Sequence, residues 1–234
     1  MKDIFAHFIL IMFPVLLVTF FNYVFSGTAF AGQLVVGTLP LLSILTTGFA
    51  LTFQIHGSSL SYEYIADDFF TWKRYRLMAT PVEPRKLVLS TMVMGTVTSI
   101  LQTFVVIVFC VFVLRATFTN LPIVAMIFIA SVILNQLVGT VVLFLSRSVK
   151  TANIITSVYG AVAPMTVGLY FPLPDTQLFL FIRQYLTPMA LANTAILKTM
   201  ESDWISVLKA SIPMLILIAI LFMLLKPMVR KVLV

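Results

Sequence analysis

Residues 61–81 read SYEYIADDFFTWKRYRLMATP, and this stretch decides how the rest of the chain is read. Ile65, Phe69, Trp72 and Arg76 fall at i, i+4, i+7 and i+11, along one side of a helix. Asp67, Thr71 and Arg74 fall elsewhere around it. Acidic residues lead and basic residues follow, which suits the helix dipole. Thr80-Pro81 stops the pattern, because the residue before proline resists the helical region. The spacing predicts an amphipathic helix near a membrane surface, turning at Pro81–Pro84 into the next apolar stretch. It sits in a charged interruption from about His56 to Lys86, with membrane-grade hydrophobic sequence on both sides.

The remainder of the chain sets that context. Of 234 residues, 61% are apolar and only 10% are charged. Soluble domains run near 45–50% apolar and 25% charged, so a polytopic membrane protein is expected. The net charge of +7 does not point to nucleic acid, since the basic residues stand at the ends of apolar stretches, as membrane flanks do. Cys110 is the single cysteine and lies in an apolar run, which excludes an intramolecular disulfide framework and predicts a buried thiol. Apolar sequence follows Met1-Lys2-Asp3 at once and no small-residue cleavage site precedes the next polar turn, so the first stretch is read as a retained span.

A helix needs about 20 apolar residues to cross the hydrocarbon core. Six segments qualify: roughly 4–25, 34–55, 87–114, 122–145, 152–171 and 206–225. The expected fold is all-α, one transmembrane domain of six helices with a cytoplasmic coupling helix and a short external re-entrant hairpin. An even number of spans puts both termini on one side, with eleven of the fifteen Lys and Arg residues; Arg115, Arg183, Lys198 and Lys209 fall on the other. That bias places the termini and the loop 56–86 in the cytoplasm. The external stretch 172–205 is too apolar for a floppy loop (Leu178, Phe179, Leu180, Phe181, Ile182). Its Pro172, Pro174 and Pro188 divide it into two short helices, expected to dip into the outer leaflet or to pack on the span tops.

Polar groups within spans are few: Asn22, Gln54, Gln102, Asn135, Gln136, Asn153 and Tyr159. Such groups rarely face lipid, and either bridge helices or line a pathway. Asn135, Gln136, Asn153 and Tyr159 are the candidates for a pathway. Gly160, Pro164 and Gly168 repeat every four residues and predict a seam for close helix packing or for a dimer contact. No ionisable residue sits deep in a span, which argues against a proton- or sodium-driven carrier. His7 and His56 lie far apart near span ends, so neither a metal site nor a catalytic residue is assigned.

The segment Glu63…Lys73-Arg74-Tyr75-Arg76-Leu77-Met78-Ala79-Thr80-Pro81-Val82 resembles the cytoplasmic signature of type-2 ABC exporter permeases. Pro164-Met165-Thr166-Val167-Gly168-Leu169-Tyr170-Phe171-Pro172-Leu173-Pro174 is similar to that family's stretch at the end of the fifth span, and Tyr185-Leu186-Thr187-Pro188-Met189 to the step that follows it. Phe69-Phe70-Thr71 stands where the family often has a glycine-threonine step, and Val167 where it usually has serine. The resemblance implies a half-transporter in the bacterial cell membrane that moves an apolar or amphiphilic compound outward: a drug, an antimicrobial peptide or a lipid-like molecule. It implies a second permease subunit, identical or related, and two copies of an ABC ATP-binding subunit that bind ATP and Mg. Glu63, Asp67, Arg74 and Arg76 would be the contacts with that ATPase. This chain carries no cofactor of its own and is not itself an enzyme in this reading, since no G-x-x-x-x-G-K-[ST] occurs. Two other readings stand beside it: the substrate-capturing subunit of a vitamin uptake system, and a membrane anchor or sensor without transport.

Overall fold

The computed structural model describes residues 2–25, 39–79 and 83–233, and among them every regular element is helical. In chain order these are α1 (Lys2–Phe25), α2 (Leu41–Phe70), α3 (Lys73–Met78), α4 (Pro84–Phe112), α5 (Leu121–Ser146) and α6 (Val149–Thr166). Then come α7 (Gln177–Phe181), one π-helical turn (Ile182–Leu186), α8 (Pro188–Met200) and α9 (Trp204–Leu233). The polar turn at 26–33, the start of the second expected span at 34–38 and the Thr80-Pro81-Val82 step lie outside the described residues.

Local chemistry sets the helix ends. Pro84 opens α4 behind Glu83, and Pro188 opens α8 behind Thr187, whose hydroxyl accepts from the Ala190 N–H at 3.0 Å. Proline at the first helical position gives up an N–H that has no partner in any case. Ser148 caps α6, and the Asp203 carboxylate accepts from the Ser206 N–H at 3.2 Å to cap α9. Hydrogen bonds from Ser206 hold that carboxyl below its ordinary range.

Two helices form the interior. Every residue of α2 from Ser43 to Thr52 is buried, and so is every residue of α8 from Met189 to Leu197. α2 packs against α1, α4, α5 and α6, while α8 packs against α5, α9 and α2. Thr46, Thr47 and Thr52 can sit inside because each hydroxyl donates to the carbonyl four residues back, at 2.8 Å. Cys110 is buried in the main core.

Among the described residues, four helical segments are long and apolar enough to cross a membrane: His7–Val24, Pro84–Phe112, Leu121–Ser146 and Trp204–Val229. Their outward faces carry Phe8, Phe20, Leu101, Phe104, Met126 and Leu215, all exposed. In water such faces would aggregate, and in hydrocarbon they are at home, which suits a membrane-embedded protein. α2 and α6, expected as the second and fifth spans, fall short of that composition. For α2 the reason is physical: it is surrounded by protein and needs no uniform apolar surface.

The boundaries differ from the sequence expectations in three places. The second helix does not stop near Ile55 but continues unbroken to Phe70. The amphipathic helix expected through Ile65, Phe69, Trp72 and Arg76 breaks at Thr71, which is extended (φ −112°, ψ −179°). The Thr71 hydroxyl takes the Asp67 carbonyl at 2.5 Å, and the Lys73 N–H then donates to Thr71 Oγ1 at 3.3 Å. A side chain that competes for the backbone in this way ends a helix. Ile65 and Phe69 are therefore buried, whereas Trp72 and Arg76, past the break, are exposed. Finally, α6 ends at Thr166, short of the expected Phe171, because Gly168 adopts φ +77° and the Leu169 N–H bonds the Pro164 carbonyl at 3.0 Å.

Candidate functional site

The fifteen residues of α2 beyond Ile55 carry it out of the apolar core into charged sequence, and at that transition it is tied to α6. The Tyr62 hydroxyl donates to Asn153 Oδ1 at 2.7 Å and lies 3.1 Å from Thr156 Oγ1. Asn153 Nδ2 in turn donates to Glu63 Oε1 at 2.9 Å. Tyr62 is fully buried while Glu63 is exposed, so the relay runs from the packed interior to the surface. Removing the hydroxyl with Tyr62→Phe is expected to cost about 1–3 kcal/mol, since Asn153 Oδ1 loses its donor and the buried Thr156 hydroxyl loses a partner. Thermal unfolding in neutral detergent measures this, and an unchanged midpoint would show that the relay contributes nothing.

Beyond Thr71 the chain is held by charge. Lys73 pairs with Asp67, and the Arg76 guanidinium lies 5.8 Å from the centre of the Trp72 ring. Burial raises the Asp68 carboxyl above its ordinary range, against the opposing pull of Lys73. The bond to Asp67 raises the Lys73 ammonium. Of the four residues expected to grip a partner, Glu63 thus belongs to the α2–α6 relay. Asp67 and Arg76 stand on either side of the Thr71 break, and Arg74 lies on α3 between them.

The polar residues expected along a pathway do not form one group. Asn135 of α5 and Tyr159 of α6 line one cavity of about 250 Å³, together with Ser58, Thr156 and Pro188. The Tyr159 hydroxyl also accepts from the Met189 N–H at 3.4 Å, joining α6 to α8. Gln136 faces away, with Nε2 donating to Ser99 Oγ of α4 at 3.0 Å. Asn153 serves the relay instead. Gln54 bridges helices, donating to Thr103 Oγ1 at 3.2 Å.

The expected seam is also divided. Gly160 faces α2, where an added β-carbon would lie 2.7 Å from the His56 ring, and Pro164 is buried. Gly168 lies beyond the helix end and shares no face with them. The sequence reading passed over Gly95 and Gly139. A β-carbon on Gly95 would overlap Ser61 Oγ, and one on Gly139 would stand 2.8 Å from Ser58 Oγ. The signal was there: Gly57 and Ser61 on α2, and Gly95 and Ser99 on α4, are each four residues apart, the spacing that lets two helices approach closely.

Among the described residues no three of His, Cys, Asp and Glu converge to hold a metal ion. Set against known protein families, curated proteins and solved structures, the chain matches none.

Proposed function

We propose that the chain is the permease subunit of an ATP-driven exporter resembling the type-2 ABC family, working with a separate ATPase and carrying an apolar or amphiphilic compound outward. In this reading α2 and α6 cross the bilayer with the four more apolar helices, making six spans. Both termini and α3 face the cytoplasm of a bacterial cell, and α7 and α8 form a hairpin that returns into the outer leaflet. Two such subunits, identical or related, would stand together with two ATP-binding subunits that hold ATP and Mg.

The observation that carries the reading is the form of α2. It is a 30-residue helix whose first half is locked in the core and whose far end, packed through Ile65 and Phe69, carries the exposed Glu63 and Asp67 and is jointed at Thr71. A rod of this kind passes force from water into the bundle. A push on α3 reaches α2 across Asp67–Lys73, and α2 reaches α6 through Tyr62, Asn153 and Glu63. α6 in turn lines the cavity that holds Asn135 and Tyr159. The route therefore leads to the fifth span and to the cavity that it lines with α2 and α5. Among the described residues no Asp, Glu, His, Lys or Arg lines this cavity, which fits a weakly polar cargo and an energy source outside the lipid.

Two measurements test the proposal. The chain co-expressed with the P-loop ATPase of a neighbouring reading frame should purify as a complex whose ATP hydrolysis responds to amphiphilic compounds. A single cysteine at Tyr75, in a chain lacking Cys110, should react with a membrane-impermeant maleimide only in inside-out vesicles. Labelling from the outside of intact cells would reject the orientation and the coupling role with it.

A further inference from the structure

A second, larger cavity of about 440 Å³ opens between α1, α2 and α4, on the other side of α2 from the Asn135–Tyr159 cavity. Its wall on α4 runs from Ser90 to Gln102, about 18 Å at the helical rise of 1.5 Å per residue. Gly57 and Gly95 let α2 and α4 meet closely at its floor, against the Ser99 and Ser61 side chains; Leu60 and Met94 give it an apolar flank, and Asp68 stands at the end nearest α3.

Three hydroxyls on the α4 wall of this cleft have their protons committed to the backbone. The hydroxyls of Ser90, Thr91 and Thr98 donate to the backbone carbonyls of Leu87, Leu87 and Met94, at 2.9, 3.1 and 2.9 Å. With their protons committed, what they offer the cleft is oxygen lone pairs. Behind Gly95, Gln136 Oε1 is buried without a partner, 3.4 Å from where a Gly95 β-carbon would stand. Gln136 does not line the cleft, so this oxygen is not among its acceptors. At the far end the Gln102 amide and the His7 ring occupy each other at 2.8 Å. No Lys or Arg lines the cleft, and Lys73, which acts on Asp68, is paired with Asp67.

We infer that this cleft is a binding site for a small organic amine, a primary or secondary ammonium on an apolar stem. The ammonium supplies N–H donors to a wall that has acceptors to spare, and the Asp68 carboxylate supplies the opposite charge. The methylenes lie along Leu60 and Met94. An anionic head would meet lone pairs and a carboxylate, and a neutral alcohol would leave that carboxylate without a counter-charge. The inference does not depend on the transport proposal, because the site is complete within one copy of this chain.

The test is thermal unfolding of the purified full chain in a neutral maltoside detergent, titrated with octylammonium chloride, sodium octanoate or 1-octanol. Octylammonium is expected to raise the midpoint in a saturable manner, while the other two do not. Asp68→Asn and Thr98→Val, both close in size to the originals, are each expected to weaken the octylammonium response roughly tenfold, as loss of a charge-assisted partner implies. Equal shifts from all three probes would mean simple partitioning into the apolar surface and would overturn the assignment. A wild-type response in Asp68→Asn would do the same. If that variant fails to fold, an undiminished response in Thr98→Val decides against the site.

Discussion

A chain carrying Arg76→Glu is expected to insert and fold normally yet lose at least about tenfold in the stimulation of ATP hydrolysis by a transported compound. The structure separates the two effects. Arg76 is exposed on α3, beyond the Thr71 break, and its one described contact is the face of Trp72 at 5.8 Å. An exposed cation–π pair is worth about 0.5–1 kcal/mol, so the fold barely registers its loss. A partner surface built to receive a guanidinium would register it strongly. Reversing a charge in a buried interfacial pair costs about 2–5 kcal/mol, or tenfold and upward in affinity. Arg76→Lys separates charge from shape: it keeps the cation but not the planar fork, and should keep part of the coupling. The measurement is ATP hydrolysis by the reconstituted complex, with and without compound, beside a melting curve of the variant chain. Full stimulation in Arg76→Glu would remove α3 from the coupling route, and a collapsed melting curve would mean that Arg76 holds the fold instead.

Why a charged, aromatic segment could be recognised in the sequence, while its shape could not, follows from what each feature depends on. The apolar runs that became α1, α4, α5 and α9 were legible because lipid-facing helices must be apolar along their length. The buried polar residues were legible as exceptions within those runs. The end of α2 was not. His56-Gly57-Ser58-Ser59 reads as the polar edge of a span, yet these residues face α4, α5 and α6 inside the bundle. Whether a polar residue faces water or protein is a tertiary fact. The break at Thr71 turned on one hydroxyl choosing the Asp67 carbonyl, which the spacing of Ile65, Phe69, Trp72 and Arg76 does not reveal. The same holds for the site. Asn135 and Gln136 are neighbours in sequence, but consecutive helical residues point about 100° apart. One therefore enters the cavity beside Tyr159 while the other reaches across to Ser99.

The closeness of α2 and α4 leads to the second large expectation. Gly95→Val should destabilise the bundle by roughly 1–3 kcal/mol, and more if the helices cannot part, because added volume in a packed interface forces backbone shifts. The contact is specific. A β-carbon on Gly95 would overlap Ser61 Oγ, and Ser61 is 3% exposed, so its side chain has little room to turn away. On a neighbouring face of α2, about 60° around the helix, Gly139 packs so closely that an added β-carbon would lie 2.8 Å from Ser58 Oγ, so α2 is held tightly against α5 as well. The clash therefore has a matching relief. Ser61→Gly removes the obstructing hydroxymethyl group and should return to the Gly95→Val chain most of what it lost, although Ser61→Gly alone weakens the helix by about 0.5–1 kcal/mol. That opposite behaviour of one substitution in two backgrounds marks a direct steric contact. Melting curves of the four chains measure it. Additive losses in the double variant would mean that Gly95 and Ser61 do not touch.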